Sequence, residues 1–247
     1  MVQSYEIILY LCNVEWKIVH IDKTDSTNRW LREQGGEEDM IVWADHQTAG
    51  RGCGTNVWES EPGRNLLFSM LLHPVDILAK DKFRLSMAAS MAVCEMLSHY
   101  ADGFTVKWPN DVYWLDYKIC GMLIESRVQG VYLKDCIVGI GVNVNQQQFW
   151  SDAPNPISLS QIIGHDVDCG QLLHAFLECF EHVSQKETLA LDYENSLFRR
   201  GKWAEYADQT GHFKARLDRV EADGQLVLTD EAGCKRTYAF KEVRFII

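Results

Sequence analysis

The chain reads as an α+β protein, a region of mixed strands and helices followed by a small all-β unit. The stretch Asn65 to Leu72 is apolar almost throughout, which is the composition of a strand buried on both faces. Phe83 to Tyr100 carries Leu85, Met87, Ala88, Met91, Ala92, Cys94, Met96 and Leu97, a distribution that suits a long, largely buried helix. From Gly211 the pattern changes to short β runs, Phe213 to Leu217, Gln225 to Leu228 and Arg236 to Phe240, with Val243 to Ile247 completing them. Asp223-Gly224 and Ala232-Gly233 separate these runs, and Asp-Gly between alternating strands is a hairpin signal.

The remaining elements follow in order. Trp16 to Ile21 alternates as a strand, and Asp25 or Ser26 then caps a helix whose apolar side holds Trp30 and Leu31 and which Gly35-Gly36 ends. Met40 to Ala44 is a short apolar strand. Lys107-Trp108-Pro109-Asn110-Asp111 sets a cation, an amide and a carboxylate around a proline that a central strand would exclude. Val112 to Leu115, Lys118 to Ser126 and Val131 to Val144 read as successive strands, with turns at Asp116-Tyr117 and Gln129-Gly130. Pro154-Asn155-Pro156 marks a loop, Ser158 starts a helical turn, and Gly170 to about Phe198 gives one or two long helices. A boundary near Lys202 divides the chain into residues 1–201 and a β tail, 202–247, small enough to lean on the larger unit for stability.

Bulk properties exclude several classes. A formal charge of -11 over 247 residues argues against wholesale nucleic-acid binding, which needs a basic face, and leaves room for a local basic patch that docks an acidic partner. The eight cysteines, Cys12, Cys53, Cys94, Cys120, Cys136, Cys169, Cys179 and Cys234, form no Cys-x-x-Cys pair and read as reduced thiols. The histidines show no metal-ligand spacing, so no protein-bound zinc is expected. Ile7 to Cys12 is too short to span a bilayer and follows no signal-peptide pattern. A soluble cytoplasmic protein, with no membrane and no nucleic-acid partner, is the expectation.

The polar residues are more telling. Asp45 to Ser60 places Gly50, Gly52 and Gly54 alternately around Arg51, with Trp58 close behind. It has neither the Gly-Lys-Ser/Thr of a Walker A loop nor the spacing of a dinucleotide fingerprint. By itself it is either an anion cradle or a plain turn. Ser26, Thr27 and Asn28 are either a helix cap or a polar binding cluster. Lys118 enters an apolar strand and must either meet an anion or extend out of the strand's end. Taken together, these groups suit the joining of two anions, a carboxylate and a nucleotide phosphate, by positioning and electrostatics.

On these motifs the chain resembles the biotin protein ligases, the biotin–acetyl-CoA carboxylase ligases. The matching stretches are Asp25-Ser26-Thr27-Asn28, Gln47-Thr48-Ala49-Gly50-Arg51-Gly52, Asn56-Val57-Trp58, Lys107-Trp108-Pro109-Asn110-Asp111, Lys118-Ile119-Cys120-Gly121 and Gly139-Ile140-Gly141-Val142-Asn143, in the family's order. The resemblance implies a mixed sheet flanked by helices, of the class II synthetase and biotin ligase kind, with a C-terminal SH3-like barrel. It implies that biotin and ATP give biotinyl-5′-AMP and pyrophosphate, and that a lysine of a biotin carboxyl carrier domain then displaces AMP. Magnesium accompanies the nucleotide, near Asp111 and Asn143.

By matching position, Ser26, Thr27, Asn28, Gln47, Gly50, Arg51, Gly52, Cys53, Lys118 and Gly121 hold biotin. Trp58, Asn110, Asp111 and Asn143 hold the nucleotide, and Arg51, Lys118, Lys107 and Asp111 serve the chemistry. The family's regulatory members carry an N-terminal helix-turn-helix domain, whereas the first motif here begins at Thr24, so an enzyme without repressor function is expected; a homodimer is compatible with the family. The chain departs from the pattern at Cys53, where arginine is common, and at Thr55, where glycine is common. Either Arg51 and Lys118 carry the charge alone, or the activated intermediate escapes more readily. The rival readings are a lipoate or octanoate ligase, disfavoured by the Lys-Trp-Pro-Asn-Asp block, and a non-catalytic biotin sensor, disfavoured by Arg51 and Lys118.

Overall fold

The computed structural model describes residues 4–11, 14–74, 77–150 and 155–247; Cys12 and Pro154 lie outside them. Its elements are β1 (Ser4–Leu11), β2 (Val14–Thr24), α1 (Thr27–Gln34), β3 (Met40–Gln47), β4 (Leu66–Leu72), α2 (Phe83–Ser98), β5 (Phe104–Lys107), β6 (Asp111–Trp114), β7 (Tyr117–Gln129), β8 (Tyr132–Val142), α3 (Leu159–Ile163), α4 (Cys169–Ser184), α5 (Leu189–Asn195), β9 (Trp203–Asp208), β10 (Gly211–Val220), β11 (Leu226–Asp230), β12 (Lys235–Tyr238) and β13 (Arg244–Phe245).

The first eight strands form one sheet in the order β1-β2-β3-β4-β8-β7-β6-β5. Only β2 and β3 run parallel, joined by the crossover helix α1 that such a pair requires. β4 lies between β3 and β8 and is buried at every position, as its sequence, apolar except for Ser69, demands. Its side chains divide between the sheet's faces. Phe68, Met70 and Leu72 join α2 and α4 in the main core, while Leu71 joins Leu31 of α1 with Val19, Ile21 and Val42 in a second cluster.

The last five strands form a separate antiparallel sheet, β12-β11-β10-β9-β13. It does not stand apart energetically, because Leu217, Leu228, Val243 and Phe245 belong to the same buried cluster as α2 and α4. Trp108 pins the junction by donating its indole N–H to the Gly224 carbonyl at 2.8 Å. Gly224 has φ of 92° and sits so close to Phe83 that a Cβ would lie 2.6 Å from its ring, so the turn needs glycine on both counts.

Three strands escape the sequence reading. β1 offers only a short apolar run. β5 is four residues long, at the edge of the sheet, where Pro109 occupies the turn to β6 rather than interrupting a ladder. β9 buries Tyr206 and Ala207, but its hairpin to β10 turns without an Asp-Gly or Asn-Gly pair. Among the described residues all the cysteines are free, and no helix is long and apolar enough to cross a membrane.

Candidate functional site

The parallel pair builds the polar end of a cavity. Thr24 of β2 lies opposite Gln47 of β3, so α1 begins beside the last residue of β3. Gln47 Oε1 accepts from the Thr27 N–H at 2.8 Å and from Thr27 Oγ1 at 3.1 Å. This bond replaces the cap expected from Asp25 or Ser26. Ser26 occupies the N-cap position, but its hydroxyl makes no capping bond, and Asp25 turns back to accept from the Ser26 N–H at 2.6 Å. The Ser26 hydroxyl is thereby left for the cavity that the residue lines.

Behind this end, Ser69 of β4, Gly139 of β8 and Leu123 of β7 form one row across the sheet, and Asn28 lies on it. Ser69 Oγ is 2.7 Å from Asn28 Oδ1 and 2.6 Å from Thr27 Oγ1. Asn28 Nδ2 donates to the Leu123 carbonyl at 3.2 Å and to Glu125 Oε2 at 2.9 Å. Gly139 makes this possible, since a Cβ there would collide with Asn28 Oδ1. Glu125 is also paired with Arg32 at 2.6 Å. Burial pushes its carboxyl up, but the bonds from Asn28 and Arg32 and the charge of Arg51 outweigh that and leave it lowered.

The floor is a glycine pair. Gly121 of β7 and Gly141 of β8 are register partners, and the Trp58 ring lies directly on them. A Cβ at Gly141 would lie 2.5 Å from the indole and one at Gly121 2.8 Å from it. Trp58 Nε1 is buried and has no hydrogen-bond partner among the described residues. The glycine-rich stretch itself is a tight hairpin: Trp58 N–H donates to the Gly50 carbonyl at 2.9 Å, Gly52 N–H to the Asn56 carbonyl at 2.8 Å, and Arg51 bridges Val57.

Cations make up one wall. Lys118 Nζ donates to Asp111 Oδ2 at 2.8 Å and stands 5.8 Å from the Trp58 ring centroid, so this lysine has met an anion inside the site. Lys107 Nζ lies 4.9 Å from the Phe245 ring and 5.4 Å from the Tyr113 ring, with no carboxylate in ion-pair range among the described residues. Burial pulls its ammonium below the ordinary lysine value; Asp111 opposes the shift and Lys118 and Arg199 add to it. Asn110 Nδ2 is tied to the Met122 carbonyl at 2.7 Å and Asn143 Nδ2 to the Ile157 carbonyl at 3.2 Å.

These groups enclose a cavity of about 800 Å³, within the range of small-molecule sites. It is lined by Ser26, Thr27, Asn28, Gln47, Arg51, Gly52, Cys53, Trp58, Lys107, Asn110, Asp111, Lys118, Gly121 and Asn143, every site residue singled out in the sequence except Gly50. Gly50 is buried behind the wall, with no room for a side chain beneath the Trp58 carbonyl. Five cations, Arg51, Lys107, Lys118, Lys241 and Arg244, face two carboxylates, Glu59 and Asp111, in the lining. In a chain of net charge -11 this local reversal of sign selects an anionic ligand.

Phe240, Lys241, Arg244 and Phe245 reach the cavity from the C-terminal sheet, and no local signal marks them as site residues. Their approach depends on how the two sheets pack. Glu125 and Ser69 were equally hidden, as they support the site from behind; only the pairing register reveals them.

Comparisons with known proteins identify the family. The family model described as the biotin/lipoate A/B protein ligase family matches residues 19–143. The bifunctional ligase/repressor BirA of Bacillus subtilis is 31% identical over 237 residues, covering 89% of this chain and 70% of that protein. A biotin–[acetyl-CoA-carboxylase] ligase of Paracoccus denitrificans is 28% identical over 221 residues, 85% of this chain and 90% of that one. Among solved structures, the biotin protein ligase of Aquifex aeolicus in complex with biotin and ATP superposes with a TM-score of 0.77 at 26% identity, over 93% of this chain and 99% of that one. By the family model, the relatives and the shared fold, the chain belongs to the biotin/lipoate A/B protein ligase family and sides with its biotin protein ligases.

Proposed function

We propose that this protein is an ATP-dependent biotin ligase that forms biotinyl-5′-AMP and transfers the biotinyl group to a lysine of a carrier domain. One observation carries the reading: a single cavity has neutral amide and hydroxyl groups at one end and cations along its wall. Biotin has the same polarity, an uncharged ureido ring at one end and a carboxylate at the other. Its ring belongs with Ser26, Thr27 and Gln47, and its carboxylate reaches toward Arg51 and Lys118. Asn28, whose polar atoms are already bonded to Ser69, Leu123 and Glu125, acts by holding the end of α1 in place.

In the first half-reaction a carboxylate oxygen attacks the α-phosphorus of ATP and pyrophosphate leaves. Two like-charged groups must approach, and Arg51 and Lys118 oppose their repulsion. Asp111 holds the Lys118 ammonium at one position, so little reorganisation is needed as charge develops. Trp58 offers its ring to the adenine, while Lys107, Asn110 and Asn143 serve the nucleotide. In the second half-reaction the neutral amine of the carrier lysine attacks the acyl carbon and AMP leaves with the electron pair of the anhydride bond.

No cluster of three or more histidine, cysteine, aspartate or glutamate side chains among the described residues could hold a metal by itself. Magnesium would arrive on the phosphates with most of its water shell, with Asp111 and Asn143 as protein oxygens beside it. Bound there, the ion would neutralise phosphate charge. The working division is a ligase unit over residues 1–201 and a C-terminal unit over 202–247, in the cytoplasm.

The test is mass spectrometry of a purified biotin carboxyl carrier domain incubated with the protein, biotin and ATP. The expected outcome is one biotinyl adduct on one lysine, dependent on ATP. An adduct with lipoate and none with biotin would replace this reading by the lipoate one. Biotin binding without ATP–pyrophosphate exchange would leave only a sensor.

A further inference from the structure

We propose that Lys241 of the C-terminal sheet is a substrate-holding residue, gripping the phosphate of the acyl-adenylate across the glycine hairpin; this rests on the ligase reading above. Lys241 lies in the turn between β12 and β13 with φ of 73°, a left-handed conformation that side chains rarely adopt and that glycine would take freely. The turn is nonetheless well anchored. Glu242 N–H donates to the Ala239 carbonyl at 3.2 Å, Glu242 Oε2 accepts from the Ala239 N–H at 2.7 Å, and the Phe240 ring packs edge-on against Trp108 at 6.1 Å. A strained lysine in a firmly held turn points to use of its ammonium.

That ammonium lies over the hairpin. Gly54, itself at φ of 73°, is the point of closest approach, and a Cβ there would collide with Lys241 Nζ. Lys241 lines the same cavity as Cys53, its ammonium 5.8 Å from the Phe240 ring centroid, and has no carboxylate in ion-pair range among the described residues. Lys118, by comparison, is already paired with Asp111. The side of the hairpin next to Cys53 therefore receives its cation from a different sheet. An acyl-adenylate keeps one negative charge on its phosphate after pyrophosphate has left, and an unpaired ammonium at the rim holds that charge while the hairpin stays closed. Free biotin, bound at the far end, gains little from it.

The test uses the full chain and biotinyl-5′-AMP. In Lys241→Gly the cation is lost while the backbone strain is relieved, and Lys241→Asn removes the charge with a residue that also tolerates positive φ. Both are expected to release bound biotinyl-5′-AMP about tenfold faster than the parent, with biotin affinity unchanged and a melting temperature at or above the parent's. Lys241→Arg should restore slow release, and raising the salt concentration should accelerate release from the parent more than from Lys241→Gly. Lys235→Ala, an exposed lysine on β12 outside the cavity, should behave as the parent. Equal release rates in the parent and Lys241→Gly would overturn the role of Lys241 and leave the ligase reading standing. A parent that neither forms nor binds biotinyl-5′-AMP would overturn both.

Discussion

The two ends of the cavity differ in how their polar groups are satisfied. Around α1, Thr27, Asn28, Gln47, Ser69 and Glu125 bond one another almost completely. Along the opposite wall, Arg51, Lys107, Lys241 and Arg244 line the cavity with no ion-pair partner among the described residues. A closed network holds shape and discriminates a neutral ligand by geometry. An open set of cations carries the cost of unneutralised charge and is relieved when an anion arrives. Substitutions at the first end should therefore act mainly on stability and biotin affinity, and those at the second on chemistry.

The largest effect is expected from Lys118→Ala and Arg51→Ala. Each removes a preorganised positive group, about 2 to 4 kcal/mol of transition-state stabilisation, or roughly 30- to 1,000-fold in rate. ATP–pyrophosphate exchange reads this directly, and parental rates in either variant would refute the assignment. Lys118→Ala should be the worse of the two, because it also leaves Asp111 facing the phosphates without its partner.

Next comes Gly139→Ala at the satisfied end. The new methyl group collides with Asn28 Oδ1, itself held by Ser69, so a loss of about 1 to 3 kcal/mol is expected in urea unfolding. A variant as stable as the parent would show that the network is looser than its distances imply.

Lys107→Met should separate the two roles. Folded Lys107 releases its proton at lower pH than an unfolded lysine, because burial disfavours its charge. Between those two pH values the unfolded chain binds more protons, so the parent gains stability as pH rises through that alkaline window. Below that window the whole cost of the buried ammonium is present. Methionine should remove the alkaline gain, stabilise the neutral protein by about 1 kcal/mol and slow adenylation. Melting curves across the pH range measure the first two outcomes.

The smallest effect belongs to Glu125→Gln. The lowered carboxyl of Glu125 contributes stability above the ordinary glutamate range, and that contribution disappears as pH falls through its folded value. The variant should lose about 1 kcal/mol or less at neutral pH and show a flatter acid limb in thermal melts.

Much of this molecule is legible from its residues, and the physical limits of that reading are equally visible. The apolar runs of β4 and α2 and the Asp-Gly turn of the C-terminal sheet are local signals, set by periodicity and backbone preference, and each became the expected element. The edge strand β5 carries too few residues for periodicity to register, and the continuous apolar run of β1, Ile7 to Leu11, does not by itself tell strand from helix. Within the site, Ser26, Arg51, Lys107, Asp111, Lys118 and Asn143 could be named because their motifs are contiguous. Whether Lys118 met a partner or escaped to solvent was open, and the bulged β6–β7 pairing that brings it to Asp111 decided the matter.

By itself, then, the sequence determined the fold class, the anion-seeking character of the Gly50–Trp58 stretch and the chemistry its motifs serve. Only tertiary structure decided which groups are satisfied and which remain open. Sheet register placed Gly139 against Asn28 and paired Gly121 of β7 with Gly141 of β8 against Trp58, so glycines of two strands make room for two separate side chains. The packing of the second sheet brought Lys241 over Gly54, across a separation of sequence that no local preference spans. Local signals arise from neighbouring residues, whereas hydrogen-bond partners and cavity charge arise from strands that meet only after folding.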